Sequence, residues 1–229
     1  MIDVIGITQN SRPALRTQAA QSLYANSDPH LDIHFTLVLD GFDLEAVQQI
    51  MPSPIVPYLI INRSPKGASR SRNMGASSIP KYRRQKYVMF MDDDIYLCPG
   101  WDRNLIQALE KYPGTIVSGS SHPYNHTVED YGEVESTNVI STPHMIMTWG
   151  LWDSVGFFTE PGGVGGGEDV DYCRRATQKG YGLLVTKPQC VLHCGVTSSN
   201  GQPIVGADWV RERNQQLIEH YGLQGVITE

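Results

Sequence analysis

The sequence predicts an α/β protein, a single domain over residues 1–229 with a mostly parallel central sheet and helices on both faces. Three observations carry this expectation. Apolar runs of strand length alternate with helical segments from Met1 to about Gly119, and such alternation specifies a parallel sheet. At 229 residues the chain can bury one sizeable core and is short for two. Its 40% hydrophobic and 18% charged content is that of a globular protein, away from disordered compositions.

Met1 to Thr8 reads as a buried strand, and Asn10-Ser11-Arg12-Pro13 then opens a helix that runs to about Tyr24, with a cap residue and a proline in its first turn. Asp32 to Leu39 alternates as a second strand and ends at Asp40-Gly41-Phe42-Asp43. A short helix over Leu44 to Met51 and a third strand over Ile55 to Ile61 follow. Gly67 to Ser78 has the small, serine-rich make-up of a helix packed close to a sheet. Tyr87 to Met91 is the fourth strand, Trp101 to Tyr112 a helix and Thr115 to Gly119 a fifth strand. Ser120 to Glu135 reads as a long polar loop containing His122 and His126, Asn138 to Met147 as one or two strands, and Trp149 to Val155 as a short helix. Pro161 to Gly167 is a glycine-rich loop, and a helix starts at Glu168-Asp169, where acids complement its dipole, and stops near Gly180. Gly182 to Leu192 is a strand leading into His193, and Asp208 to Tyr221 a last amphipathic helix.

Parallel sheets bind ligands beyond the carboxyl ends of their strands. Thr8 to Arg12, Asp40 to Asp43, Asn62-Arg63 and Asp92 to Asp94 all fall at such ends, so they are expected to converge on one rim. The triplet Asp92-Asp93-Asp94 is the densest charge in the chain. Adjacent carboxylates repel unless a cation or hydrogen bonds offset them, which predicts a divalent-metal site.

Charge and composition exclude other classes. The net charge is −6, from 18 basic and 24 acidic residues, which argues against a general nucleic-acid binder. Between Glu45 and Asp92 there is no acidic residue, while Arg63, Lys66, Arg70, Arg72, Lys81, Arg83, Arg84 and Lys86 fall there, a local positive field suited to a small polyanion. No apolar run approaches the ~20 residues of a membrane helix, and the N-terminus lacks a basic leader, so a cytoplasmic protein is expected. The four cysteines are too irregularly spaced for a disulfide framework. Cys190, His193 and Cys194 cluster without the second half of a zinc finger, which leaves buried thiols around one histidine. The glycine loop does not fit G-x-G-x-x-G and follows no strand directly; it is expected to act as a hinge or lid for Glu168 and Asp169.

Several stretches together resemble the family 2 glycosyltransferases of the GT-A fold. Phe90-Met91-Asp92-Asp93-Asp94 followed by Pro99-Gly100-Trp101 looks like that family's D-x-D motif and its trailing Pro-Gly-Trp. Gly67-Ala68-Ser69-Arg70-Ser71-Arg72-Asn73-Met74-Gly75 is similar to its Gly…Ala-Arg-Asn-x-Gly segment. Val155-Gly156-Phe157-Phe158, then Gly167-Glu168-Asp169-Val170-Asp171-Tyr172-Cys173-Arg174-Arg175, Gly180-Tyr181 and Val191-Leu192-His193 complete the match in the family's order.

The resemblance implies a nucleotide-binding half over about 1–119, an acceptor-binding and catalytic half over about 120–229, and a nucleotide-sugar donor, most commonly a UDP-sugar. It implies Mn2+ or Mg2+ held by Asp94, with His193 and Asp92 as further ligands or Asp92 on the ribose. Arg72 would assist the diphosphate, and Thr8, Asn10, Arg12 and Asp40 or Asp43 would line the base and ribose pocket. Gly67, Asp93, Trp149 and Gly167 complete the expected substrate-contacting set. Asp169 would be the general base of an inverting transfer, with Glu168 the alternative. Residue chemistry alone leaves His193 equally a core histidine, Trp149 equally a core side chain, and the two acids partly a helix cap. The Q-x-x-R-W motif of processive synthases is missing, which implies transfer of a single sugar. The acceptor could be a glycan, a lipid-linked saccharide, a small molecule or another hydroxyl, met by Ser120 to Trp152 and the C-terminal segment. Two competing readings are a sugar-nucleotide nucleotidyltransferase, which would want a glycine-rich loop where Thr8 to Arg12 has none, and an inactive nucleotide- or sugar-binding module.

Overall fold

A computed structural model of the chain describes residues 1–8, 12–42, 58–64, 67–120, 127–160, 167–195 and 206–228. Strand β1 (Ile2–Thr8), buried at every position but Ile7, lies inside the sheet between β2 (Ile33–Asp40) and β4 (Tyr87–Asp92), both parallel to it. A strand paired on both edges and covered on both faces favours apolar side chains, hence Ile2, Val4, Ile5 and Ile7, with buried Asp3 the charged exception. Outside β2 lies β3 (Tyr58–Asn62), also parallel. These four strands are parallel, as the expected fold requires, and the carboxyl ends of β1, β2, β3 and β4 share one rim.

Beyond β4 the sheet turns mixed. With β6 (Thr115–Ser118), β7 (Thr127–Asp130), β8 (Val134–Thr137), β9 (His144–Thr148) and β10 (Gly182–Thr186), its order is β3-β2-β1-β4-β9-β6-β10-β8-β7. Strand β9 runs antiparallel between β4 and β6, while β10 returns parallel to β6. The region expected to be a loop before Glu135 instead contains the β7–β8 hairpin, an exposed outer edge whose polar side chains hid its strands. The expected strand from Gly182 to Leu192 is broken at Lys187-Pro188, since proline cannot donate to a ladder. Its second part, β11 (Val191–His193), leaves the main sheet and pairs antiparallel with an unanticipated strand, β5 (Ile95–Leu97). The expected short helix after Asp43 lies outside the described residues.

Helices α1 (Pro13–Ala25), α2 (Ala68–Ser78), α3 (Trp101–Lys111), α4 (Trp149–Val155), α5 (Glu168–Gln178) and α6 (Ala207–Tyr221) cover the sheet. The pleat sorts side chains to two faces. Val4, Met89, Ile146 and Leu184 pack with Leu23 of α1, Leu105 of α3 and Leu217 of α6. Their neighbours Ile5, Phe90, Met147 and Leu183 pack with Ala76 of α2, Trp152 of α4 and Tyr172 of α5. The close approach expected of α2 is real: a Cβ at Gly75 would lie 3.2 Å from Val38 Cγ2 and nearer still to Ile5 Cγ2. On the same face, Phe158 joins Phe90, Trp152 and Tyr172 in an aromatic cluster with centroids 4.6–5.5 Å apart, while the adjacent Phe157 is exposed. Among the described residues no helix is long and apolar enough to cross a membrane.

Candidate active site

The rim brings most of the expected residues together. Parallel register sets Thr8 of β1 beside Leu39 of β2, and Ile7 beside Asp92 of β4, so the chain turns emerge side by side. The Thr8 hydroxyl donates to Asp93 Oδ2 at 2.5 Å. Arg12, at the N-cap of α1, is paired through Nη1 with Asp94 Oδ2. On the other side of the triplet Arg72, fully buried in α2, forks between Asp92 Oδ1 at 2.6 Å and Glu168 Oε1 at 3.0 Å. The same guanidinium lies 5.8 Å from the Phe158 ring centroid.

The β5–β11 pair explains how His193, a hundred residues away in sequence, arrives. Register places His193 opposite Ile95, and the Cys194 N–H donates to the Asp94 carbonyl at 2.7 Å. The imidazole Nε2 then stands 3.4 Å from Asp94 Oδ1. Cys190 and Cys194, on either side of it in sequence, are buried.

The triplet's three carboxyls are driven apart by their surroundings. Burial raises Asp92 and the negative charge of Asp94 adds to this, against the pull of Arg72. Burial and the charge of Asp94 push Asp93 up to about 7, although Thr8 and Arg12 favour its anion. For Asp94, burial acts upward but is outweighed by His193 and Arg12, which hold it below the usual carboxylate range. Burial lowers His193, and Asp94 and Asp92 more than reverse that. Arg72 is likewise raised by Asp92 and Glu168 in spite of its burial.

Gly167, in left-handed backbone at φ 91°, caps α5 and lets the chain turn so that Glu168 and Asp169 fall in the first helical turn. Their roles divide there. Glu168 is tied to Arg72, whereas Asp169 Oδ1 accepts from the Val170 N–H at 2.8 Å, within its own turn. Asp40 and Gly67 meet each other: the Asp40 carboxylate accepts from Asn62 Nδ2 at 2.7 Å and the Gly67 N–H at 3.0 Å, which fixes the entrance to α2. Trp149 is a correction. It follows the far end of β9, opposite the amino end of β4, and its indole N–H donates to Asp3 Oδ2 at 2.7 Å with Arg84 stacked 4.0 Å above the ring. It belongs to the edge away from the carboxylates. Asn10, Asp43, His122, His126 and the loop 161–166 lie outside the described residues.

The expected metal set is changed in one member. Among the described residues no group of three or more His, Cys, Asp or Glu side chains is arranged to hold a metal ion. Asp92 is turned to Arg72. What remains is the buried Asp94 Oδ1 facing His193 Nε2 at 3.4 Å, and a carboxylate with an imidazole is a donor pair that suits a divalent transition ion.

Two residues of the site were missed. Arg16, one turn after Arg12 on α1, is buried with Nε and Nη1 lacking partners among the described residues, 5.6 Å from the Phe42 ring and within the field of Asp93. Its i, i+4 spacing from Arg12 was the available signal. Gly195 packs so closely that a Cβ there would be 2.5 Å from Asp94 Oδ2 and nearer still to Arg12. A glycine two residues beyond a site histidine carries no such message by itself.

A mixed α/β sheet with carboxylates, arginines and a histidine gathered at its carboxyl rim is the architecture of a GT-A glycosyltransferase. The chain belongs to glycosyl transferase family 2, whose family profile matches residues 4–171. Among solved structures it is similar to GalNAc-T7 with UDP, GalNAc and Mn2+, at TM-score 0.64 and 12% identity over 81% of this chain and 42% of that one. It is also similar to S. aureus TarS 1-349 in complex with UDP-GlcNAc, at TM-score 0.59 and 15% identity over 83% of this chain and 57% of that one. The chain thus spans roughly two-fifths to three-fifths of these relatives. No curated protein matches the sequence significantly.

Proposed function

We propose that the protein transfers a single sugar from a UDP-sugar to an acceptor hydroxyl with inversion at the anomeric carbon. The observation that carries this reading is the placement of two acids in the first turn of α5 beside the carboxylate rim: Glu168 is bound to the buried Arg72 that also holds Asp92, and Asp169 follows it, which we assign as the group that accepts the proton. In this reaction the acceptor oxygen attacks the anomeric carbon as its proton passes to Asp169. The bond from that carbon to the diphosphate breaks, and its electron pair leaves with the nucleotide. Arg12, close to the triplet, and Arg72, at its other flank, supply positive charge where the diphosphate lies, while Thr8 and Asp93 face the nucleoside.

A divalent ion, Mn2+ or Mg2+, would be held by Asp94 and His193, and when bound it supplies charge stabilisation for the departing diphosphate. Asp92 serves instead to hold Arg72. Four free, buried thiols suit a reducing compartment, in keeping with a cytoplasmic enzyme. The GalNAc-T7 and TarS structures, with UDP and UDP-GlcNAc, support a uridine donor.

The test is a thermal-shift panel of nucleotide sugars with and without Mn2+, together with Asp169→Asn. A UDP-sugar should stabilise both proteins, more so with Mn2+, and only the parent should transfer. Ligand at ~100 times Kd adds about 2.7 kcal/mol to folding, which is easily read. Absence of stabilisation by every nucleotide sugar overturns the donor assignment, and undiminished transfer by Asp169→Asn removes the base.

A further inference from the structure

We propose that the cleft on the outer side of α6 is a saccharide subsite, where Trp209 stacks against a neutral sugar ring of the acceptor. It rests on the transferase reading for the word acceptor, but not for the binding itself. The cleft has a volume of about 390 Å³ and is lined by Gln189, Trp209, Glu212, Arg213, Gln216 and Leu217. That is within the range of small-ligand sites, ~300–1,000 Å³.

Its position ties it to the reaction centre. Arg213 Nη2 donates to the Val191 carbonyl at 2.6 Å, and Asn214 Nδ2 to the His193 carbonyl at 2.6 Å, so Arg213 lines the cleft and, with Asn214, clasps the histidine strand. A long acceptor could touch both.

The lining identifies the ligand class. Of the four tryptophans, Trp101, Trp149 and Trp152 are at most 6% exposed, whereas Trp209 is 37% exposed. Its ring is oriented by Arg213, whose guanidinium carbon lies 5.5 Å from the centroid. Arg213 is itself more than nine-tenths buried, and its Nε lacks a hydrogen-bond partner among the described residues. The rest of the wall is two carboxamides and one carboxylate, planar groups that meet vicinal hydroxyls with paired hydrogen bonds. A peptide groove would be lined with apolar side chains, and only Leu217 joins the indole here. A polyanion would need excess positive charge, but Glu212 balances Arg213. A sugar ring, with an apolar C–H face and polar edges, answers both halves of the wall: stacking on the indole and hydrogen bonds from the rim.

The exposure pattern also provides the assay, because added quenching or spectral shift of the intact chain's tryptophan emission reports on Trp209. Chitotriose, cellotriose, maltotriose and galactotriose are titrated without donor or metal, up to about 10 mM, which fills most of a site with Kd ~1 mM. At least one should give a saturable change. Trp209→Ala should abolish it, and Glu212→Gln should weaken binding about tenfold, as expected on losing the charge from a hydrogen-bonded pair. Unchanged melting of both variants would show that their folds are intact. If none of the four changes the emission, or if Trp209→Ala retains the response by calorimetry, the subsite is wrong, and this stands apart from whether a UDP-sugar stabilises the protein.

Discussion

At the scale of single residues the site depends on two unlike requirements, a buried cation and an absent side chain. Arg72 is the cation: it pairs with both Asp92 and Glu168 where water does not reach it. Breaking a buried pair by removing one partner leaves charge uncompensated and costs about 3–5 kcal/mol. Arg72→Ala should therefore lower urea stability by about that much, and Arg72→Lys by less, since one ammonium keeps the charge but loses the fork. A loss under ~1 kcal/mol in the alanine variant would refute this account. Gly195 is the absent side chain. Gly195→Ala should push Arg12 off Asp94, and weaken UDP binding about tenfold with little change in melting, measured by calorimetry; unchanged affinity would separate the Arg12–Asp94 contact from the donor site. The carboxylate triplet, the acids at 168 and 169, and Arg72 were legible in sequence because charge concentrated at a strand end or helix start has few structural uses. Trp149 was not, because the same residue serves as platform or core depending on which end of β9 it follows.

At the scale of elements, what sequence conveyed was the existence of strands, and what it withheld was their direction and partners. The run His144 to Thr148 alternates like its neighbours, yet lies antiparallel, because insertion between β4 and β6 is decided by tertiary packing. The β5–β11 pair is three residues long on each side, too short for a periodic signal, and it is this pair that delivers His193. Helix α5 shows how an element end is secured. Asp171 in its first turn accepts from Thr159 Oγ1 at 2.6 Å, from Arg175 Nε at 2.8 Å and from Arg174 Nη2 at 2.9 Å, and Arg175 also donates to the Val155 and Phe157 carbonyls. Thr159 and the two arginines, against modest burial, depress this carboxyl from 3.8 to about 2. A depressed acid contributes stability that is whole above its unfolded value, near pH 4, and is lost as pH falls through 4 towards 2. Because Asp171 is about a quarter exposed, the contribution is reduced by solvent to about 1–2 kcal/mol. Asp171→Asn should be less stable than the parent by that amount at pH 7, and the two urea midpoints should converge by pH 2. A gap that persists at pH 2 would assign the effect to packing instead.

At the scale of the whole molecule, the core does not respect the proposed division into a donor half and an acceptor half. Strand β4, which carries the triplet, is paired on one side with β1 and on the other with β9, so the donor half lacks an edge partner without residues from the acceptor half. The side chains of β9 alternate into both cores, Ile146 to the face of α1 and α3, and Met145 and Met147 to the face of α2. Leu217 of the final helix joins Leu15 and Leu23 of the first in one cluster. Neither half can open without exposing apolar surface of the other, at ~25 cal/mol per Å². The intact chain should consequently unfold in one calorimetric transition whose van't Hoff and calorimetric enthalpies agree, and a fragment of residues 1–119 should show no cooperative melt. UDP with Mn2+ should move that single transition upward as a unit, because ligand held at the rim of β1 and β4 stabilises everything those strands are packed into. Two resolved transitions, only one of them shifted by the nucleotide, would show instead that the halves fold as separate units joined across β4 and β9.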